Sequence, residues 1–318
     1  MEYTTLGNSG TAVSRICIGT NTFGGDAEWH LSASEAQAVV DTAIEHGITF
    51  FDTANAYNTG ASERVLGEAL SEYDRDRQVV ATKVYFGMDD ANPNAGGLSR
   101  KAIEQELANS LDRLGMETID LYQIHRWDEE TPIDETLRAL TDAVRRGHVR
   151  HLGASSMWTH QFAEALHAAD VNGYEPFVTM QNHYNLAYRE EEREMVPFCE
   201  RQGVGLLPWS PLARGFLARP HDELKATVRG AADDHLHRRM ETYAAGGGRE
   251  INERVEQLAA EKGVKMPQIG LAWLLHQDAV DAPVVGARKP EYVVDAVEAL
   301  DIDLSDSDLE WLAEPYEP

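Results

Sequence analysis

Four polar residues that could share one proton-transfer reaction stand at or just after the ends of predicted strands: Asp52, Tyr57, Lys83 and His125. Tyrosine has an ordinary pKa of about 10 and is a poor acid near neutrality, but a nearby ammonium group favours its phenolate. Asp52 would keep Lys83 charged in a partly dry cleft, where a lone charge is costly. His125 could hydrogen-bond a carbonyl oxygen. Together the four suit protonation of an oxygen while hydride reaches the neighbouring carbon.

Each of these residues also has a structural interpretation. Asp52 and Lys83 alone could form an ion pair that only holds the fold together, and His125 after an apolar strand could be a core histidine. Tyr57 alone in a loop says little. Four such residues near successive strand ends are much harder to explain by chance, and their convergence favours chemistry over structure.

The elements that must position these residues alternate along the chain. Strands are predicted at 15–19, 49–52, 79–83, 120–125, 150–154, 177–181, 204–208 and 283–285. Amphipathic helices are predicted at 34–46, 62–71, 99–114, 133–146, 158–169, 189–202, 253–262 and 290–300. This alternation predicts a parallel sheet, and eight strand–helix pairs predict a (β/α)8 barrel with its active site at the C-terminal strand ends.

Other segments extend the barrel. Residues 3–14 predict an N-terminal β-hairpin, and 266–277 and 305–314 predict additional helices near the C-terminus. The alternative is an open doubly wound sheet, but the first strand lacks the G-x-G-x-x-G turn typical of one. We therefore expect a single α/β domain over 1–318, with a segment at about 209–250 that is a binding lid or a disordered insertion.

The composition is strongly acidic. The 54 acidic and 28 basic residues give a formal net charge of −26, which argues against a nucleic-acid partner because a phosphate backbone requires a basic surface. Such a charge destabilises the compact state unless salt screens it, so we expect a halophilic protein. An ordinary acidic cytosolic protein is the alternative, and a stability optimum below about 0.2 M KCl would favour it.

The cysteines and the apolar pattern of the chain indicate which cellular compartment the protein occupies. Cys17 and Cys199 lie in apolar surroundings with no C-x-x-C pattern, so we expect neither a disulfide nor a metal site. The chain shows no signal-peptide pattern and no apolar run of about 18 residues. These features predict a cytoplasmic protein without a membrane partner.

The segment from Gly47 to Tyr57 resembles the first signature of the aldo-keto reductase superfamily. Further segments resemble its later motifs, in order along nearly the whole chain: 81–83, 120–125, 147–156, 180–185, 207–213 and 285–290. Within the superfamily, the chain is most similar to the microbial and fungal oxidoreductase branch that is related to potassium-channel β subunits.

The resemblance implies reversible reduction of an aldehyde or ketone to an alcohol with a nicotinamide cofactor. It implies that Tyr57 is the general acid, that Lys83 and Asp52 tune it, and that His125 orients the carbonyl group. It also implies that the cofactor contacts Ser155 and Gln181 (carboxamide), Trp209 (ring stacking), Ser210, Leu212 and Gly215 (pyrophosphate), and Gly286, Arg288, Tyr292 and Asp295 (adenosine). Thr20 and Asp52 complete the implied cofactor-binding set.

The adenosine end departs from the family pattern at Tyr292 and Ala296. Arg288 and Lys289 could pair with a 2′-phosphate, since a guanidinium group suits bidentate phosphate recognition, and Arg229 is a second candidate. We therefore expect NADP(H) to be favoured over NAD(H). The alternative is that Arg288 and Lys289 only balance nearby acidic residues, Glu291 and Asp295.

Two other function classes remain open. One is a redox-sensing, cofactor-binding regulatory subunit with little turnover. The other is a Schiff-base lyase with Lys83 as nucleophile, although pairing with Asp52 argues against a neutral lysine. The substrate pocket is expected to suit an apolar or aromatic carbonyl compound, because its predicted walls are Phe23, Trp29, Tyr85, Phe86, Trp127, Met157 and Trp158.

Overall fold

The computed structural model describes residues 1–89, 91–226 and 240–317. A two-stranded antiparallel hairpin comes first, formed by β1 (Tyr3–Thr5) and β2 (Ala12–Ser14). Eight parallel strands follow: β3 (Cys17–Gly19), β4 (Phe50–Asp52), β5 (Val79–Val84), β6 (Ile119–Ile124), β7 (Val149–Ser155), β8 (Phe177–Gln181), β9 (Gly205–Leu206) and β10 (Val284–Val285).

The eight strands close into a barrel. They pair in the order β10-β3-β4-β5-β6-β7-β8-β9. The last gap is bridged where the backbone N–H of Val284 donates to the carbonyl oxygen of Pro208 at 2.9 Å and Trp209 forms a parallel bridge with Val284. The predicted (β/α)8 barrel with an N-terminal hairpin is therefore confirmed.

Helices surround the sheet. They are α1 (Ala33–Glu45), α2 (Ala61–Leu70), α3 (Arg100–Leu114), α4 (Ile133–Arg145), α5 (Thr159–Asn172), α6 (Met195–Gln202), α7 (Arg249–Lys262), α8 (Met266–Leu275), α9 (Pro290–Glu298) and α10 (Asp306–Ala313). The helix predicted at 189–202 is broken, with a 3-10 turn at Glu190–Arg193 before α6. Pro197 explains the break, because a proline ring clashes with the carbonyl group four residues earlier.

The barrel interior has an apolar end and a polar end. Near the N-terminal strand ends, Phe50, Val79 and Leu121 form a buried cluster that Leu6 and Val13 of the hairpin region join. Buried polar side chains lie towards the other end. Because the hairpin region closes the apolar end, the site must open at the C-terminal strand ends.

The long connection between β9 and α7 borders that open end. Its described residues include Ala218, Arg219, Leu224 and Met240, which line the main cavity. The middle of the predicted lid-like segment, with Arg229, lies outside the described residues. Across the described part of the chain, no helix has the length and apolar character needed to cross a membrane.

Asp281 links the barrel to the hairpin turn. Its carboxylate accepts a hydrogen bond from the backbone N–H of Gly7 at 2.7 Å. Burial raises the pKa of Asp281 to about 6, although Gly7 and Arg15 act in the opposite direction. The folded state therefore keeps this proton at pH values where the unfolded chain has released it, so stability falls as pH rises from about 4 to about 6.

Asp281→Asn keeps an acceptor oxygen for Gly7 but cannot ionise. We expect it to raise the free energy of unfolding by roughly 1–2 kcal/mol near neutral pH and to change little at about pH 4. Urea unfolding at the two pH values measures the difference. Asp278→Asn, at an exposed position nearby, is the matched control, and equal stabilisation by both variants would contradict the assignment to Asp281.

Candidate active site

The strand ends bring the proton-transfer residues together. Nζ of Lys83, at the end of β5, donates to Oδ1 of Asp52 at 2.5 Å, to the carbonyl oxygen of Thr53 at 2.9 Å and to the hydroxyl oxygen of Tyr57 at 3.2 Å. The Lys83 and Asp52 side chains are 0% and 2% exposed. The charged pair therefore lies on the barrel side of the Tyr57 phenol, with Nζ of Lys83 in contact with its hydroxyl group.

The loop that carries Tyr57 is fixed to the neighbouring strand and helix. The backbone N–H of Asn55 donates to the carbonyl oxygen of Lys83 at 3.2 Å, and its side-chain amide donates to Glu106 of α3 at 3.0 Å and to the carbonyl oxygen of Phe86 at 3.2 Å. Asn55 was not among the predicted site residues. Its hydrogen bonds keep the Tyr57 hydroxyl close to Lys83.

Lys83 remains an ammonium ion despite its burial. Desolvation lowers the pKa of Lys83, but the charge of Asp52 and then that of Tyr57 raise it, and the net pKa lies above the ordinary value. A buried charge is tolerated when it is paired and hydrogen-bonded. The group beside Tyr57 is therefore positively charged at neutral pH.

The second oxygen of Asp52 is held by two amides. Nε2 of Gln123 and Nε2 of Gln181 each donate to Oδ2 of Asp52 at 2.9 Å. Gln123 is fully buried and was missed by the sequence analysis. A polar residue between the apolar Leu121 and Ile124 of a buried strand was the signal that could have found it.

His125 follows β6 and lies against two aromatic rings. Its ring centroid is 5.7 Å from that of Tyr57 and 4.9 Å from that of Phe86, both edge-to-face. Burial lowers the pKa of His125 to about 2, with smaller contributions from Lys83 and Arg126. Its buried Nδ1 has no hydrogen-bond partner among the described residues. His125 is therefore a neutral imidazole with unused hydrogen-bonding capacity.

A cavity of about 760 Å³ opens beside these groups. All but one of the predicted site residues line it: Thr20, Asp52, Tyr57, His125, Ser155, Gln181, Trp209, Ser210, Leu212, Gly215, Gly286, Arg288, Tyr292 and Asp295. Lys83 does not line the cavity, because it lies buried beneath Asp52 and Tyr57.

The predicted carboxamide-binding end is built from β7, β8 and the segment after β9. Oγ of Ser155 donates to the carbonyl oxygen of Gln181 at 2.9 Å, and Nε1 of Trp209 donates to Oγ of Ser156 at 3.0 Å. The Trp209 ring stacks on that of His183, with centroids 4.2 Å apart. These contacts fix the orientation of the tryptophan at the cavity wall.

The predicted pyrophosphate loop has an unusual backbone. Ser210, Ala213 and Arg214 have φ values of 53°, 48° and 58°, and Gly215 has φ of 100°. Left-handed conformations at non-glycine residues store strain and cluster at ligand-binding loops. The loop thus has the backbone conformation of a ligand-binding segment. Glycine suits position 215, because it adopts a φ of 100° at no steric cost.

At the predicted adenosine end, the structure shows an ion pair that the sequence analysis did not predict. Nζ of Lys265, a residue the sequence analysis did not select, donates to Oδ1 of Asp295 at 2.6 Å. Among the described residues, Asp295 pairs with Lys265, and neither Arg288 nor Lys289 forms an ion pair with Glu291 or Asp295. Arg288 instead faces the cavity.

The predicted substrate-pocket walls do not coincide with the lining of this cavity. None of the seven side chains lines it. Phe23 and Met157 are buried in the core, whereas Trp158 precedes α5 and is 73% exposed. Phe86 contacts a candidate catalytic residue, His125. Aromatic composition near strand ends did not reveal which way each ring turns.

Comparison with known proteins gives a consistent result. The family described as "Aldo/keto reductase family" matches residues 15–317. The chain is 39% identical to versiconal hemiacetal acetate reductase of Aspergillus parasiticus, over 100% of this chain and 98% of that protein. It is likewise 39% identical to aldo-keto reductase AMT2 of Alternaria alternata, over 99% of this chain and 91% of that protein. Both relatives are fungal, as the resemblance implied.

Proposed function

Because the chain belongs to the aldo/keto reductase family, we propose that it reversibly reduces an aldehyde or ketone to an alcohol with NADP(H), and that Tyr57 donates the proton. The observation that carries the proposal is the buried Lys83–Asp52 pair, whose ammonium group lies 3.2 Å from the Tyr57 hydroxyl at the edge of the cavity.

The residues around the cavity suit a dinucleotide. The cavity extends from Tyr57 past Trp209 and the left-handed loop to Arg288, with a volume in the range of small-molecule sites. Ser155, Gln181 and Trp209 would hold the nicotinamide end, and the backbone at 210–215 would face the pyrophosphate. Bound NADPH supplies the hydride.

The protein's own groups supply the proton and the orientation. Tyr57 gives its hydroxyl proton to the carbonyl oxygen, and the adjacent Lys83 ammonium stabilises the phenolate that remains. A neutral His125 can donate one ring N–H to the same oxygen without titrating near neutrality. These two contacts place the carbonyl oxygen between Tyr57 and His125.

The geometry also bears on the rival functions. A Schiff-base lyase would need a neutral Lys83, yet the pKa of Lys83 is raised beside Asp52. A regulatory subunit with little turnover would share the same site, so activity must separate the two. An absorbance screen of aldehydes and ketones with NADPH and with NADH, in high KCl, tests the proposal, and binding without turnover across the panel would support the regulatory alternative.

NADP preference is assigned to Arg288, which faces the cavity. We expect Arg288→Ala to lower kcat/KM for NADPH by roughly tenfold to a hundredfold, since hydrogen bonds to charged groups are worth about 1.5–3 kcal/mol, while kcat/KM for NADH stays near its original value. Arg77→Ala, exposed before β5 at the opposite end of the barrel, is the control. Equal losses with both cofactors would contradict the assignment.

A further inference from the structure

The strand layer below the active site contains polar groups where a barrel usually has apolar ones. Interior layers of such barrels take side chains from alternate strands, and bulky branched residues dominate them. Here Asp52 of β4, Gln123 of β6 and Gln181 of β8 come from alternate strands and hydrogen-bond to one another. Burying amides is costly unless they are paired, so this layer needs an explanation beyond packing.

The two glutamines are not equivalent. Gln181 lines the cavity and is proposed to bind the cofactor, while its Nε2 donates to Asp52. Gln123 is fully buried and does not line the cavity. Its Nε2 donates to Oδ2 of Asp52 at 2.9 Å, and its Oε1 accepts from Gln181 at 3.4 Å. Gln123 therefore donates to Asp52 from a position away from the cavity.

The neighbouring strands leave room for Gln123. In the sheet register Gln123 pairs with Lys83 on one side and with Gly153 on the other, and Gly153 pairs with Thr179. A Cβ atom at Gly153 would lie 2.9 Å from Cγ of Gln123 and 2.6 Å from Oγ1 of Thr179. Position 153 therefore has no room for a side chain, because Oγ1 of Thr179 and the stem of Gln123 occupy that space.

We propose that Gln123 is a positioning residue for proton donation, which acts through Asp52 to fix the Lys83 ammonium beside Tyr57; this rests on the proposed function. Asp52 has Lys83 on one oxygen and the amides on the other. Without the Gln123 donor the carboxylate is freer to turn and is more basic. It then offsets more of the positive charge that Lys83 presents to Tyr57.

The test compares two variants. Gln123→Met keeps the size of the side chain but removes its hydrogen-bond donor. Thr179→Val alters a nearby side chain on the strand that pairs with Gly153. The hydroxyl of Thr179 has no partner among the described residues, so Thr179→Val controls for packing. We expect Gln123→Met to lower kcat about tenfold and to leave the NADPH Kd and Tm close to those of the unaltered protein. The pH at which kcat for reduction begins to fall should move upwards.

A second variant and a spectroscopic measurement make the test independent of one substitution and of turnover. Gln123→Glu sets a second carboxyl group against Asp52, and this contact raises the pKa of one member of the pair. While the introduced group keeps its proton it still donates to Asp52, so kcat at low pH should stay close to that of the unaltered protein and should fall as that proton is lost. The ultraviolet difference titration between each protein and its Tyr57→Phe derivative reports ionisation of Tyr57, and Gln123→Met should displace it to higher pH.

Three results would overturn the proposal: an undisplaced Tyr57 titration in folded Gln123→Met, an equal loss of kcat in Thr179→Val, or a loss explained by weaker NADPH binding. Absence of carbonyl reduction by the unaltered protein would instead refute the proposed function. The Tyr57 titration would still decide the positioning role, because it needs no turnover.

Discussion

Tyr57→Phe is expected to lower kcat for carbonyl reduction by roughly 10²–10⁴-fold, the usual contribution of a positioned general acid. The variant removes only the hydroxyl, which lies 3.2 Å from Nζ of Lys83. The NADPH Kd should change little, because the ring and the other cavity-lining residues stay in place. Steady-state kinetics and fluorescence titration of the cofactor measure the two quantities separately.

Tyr174→Phe provides the matched control. Tyr174 lies before β8, at the opposite end of the barrel from the cavity, and its hydroxyl accepts from Nε of Arg138 at 3.4 Å. This variant should keep full activity. If Tyr57→Phe kept its activity as well, another group would have to donate the proton, and the assignment to Tyr57 would be lost.

Lys83→Met is expected to damage both stability and activity. It leaves the 2% exposed Asp52 carboxylate without its counter-ion, and breaking a buried pair in this way typically costs about 3–5 kcal/mol. It also removes the ammonium beside Tyr57, so kcat should fall by roughly 10²–10³-fold. Urea unfolding and steady-state kinetics measure the two effects.

A double variant separates these effects. Lys83→Met combined with Asp52→Asn removes both charges, so most of the lost stability should return while activity stays low. This outcome would mean that the pair is retained for chemistry more than for stability. Activity restored together with stability would contradict a chemical role for Lys83 and would leave the pair as a structural feature.

The fold was predictable because its signals repeat along the chain. Eight strands and their helices each have a local apolar pattern, and the barrel follows from their number and order. The break in the helix before α6 was harder to predict, although Pro197 in the predicted helix was a local cue. The middle of the 209–250 segment lies outside the described residues.

The site was predictable to the extent that strand ends coincide. Asp52, Lys83 and His125 lie at or just after the ends of neighbouring parallel strands, so one strand register brings them together. Contacts that depend on side-chain direction could not be read in this way. The pairing of Lys265 with Asp295 and the stacking of Trp209 on His183 join residues from distant segments, and no local pattern encodes them.

The same limit explains why Gln123 was missed and why the predicted pocket walls do not line the cavity. In a strand that is buried on both faces, polar and apolar positions do not alternate, so the direction of a side chain cannot be inferred from sequence spacing alone. Gln123 points to Asp52 inside the barrel, whereas Phe23 packs in the core. The sequence could predict that the four polar residues converge, but not that the Gln123 side chain beneath them turns to Asp52.

Transfer of deuterium from NADPH that carries deuterium at both C4 positions of the nicotinamide tests the central claim most directly. The unaltered protein is incubated with labelled cofactor and an aromatic aldehyde, and the product is analysed by mass spectrometry and NMR. We predict an alcohol with one deuterium on the former carbonyl carbon, formed in step with cofactor oxidation and lost in Tyr57→Phe, which still binds NADPH. Cofactor binding without alcohol formation across a panel of aldehydes and ketones, or alcohol without deuterium at that carbon, would contradict it.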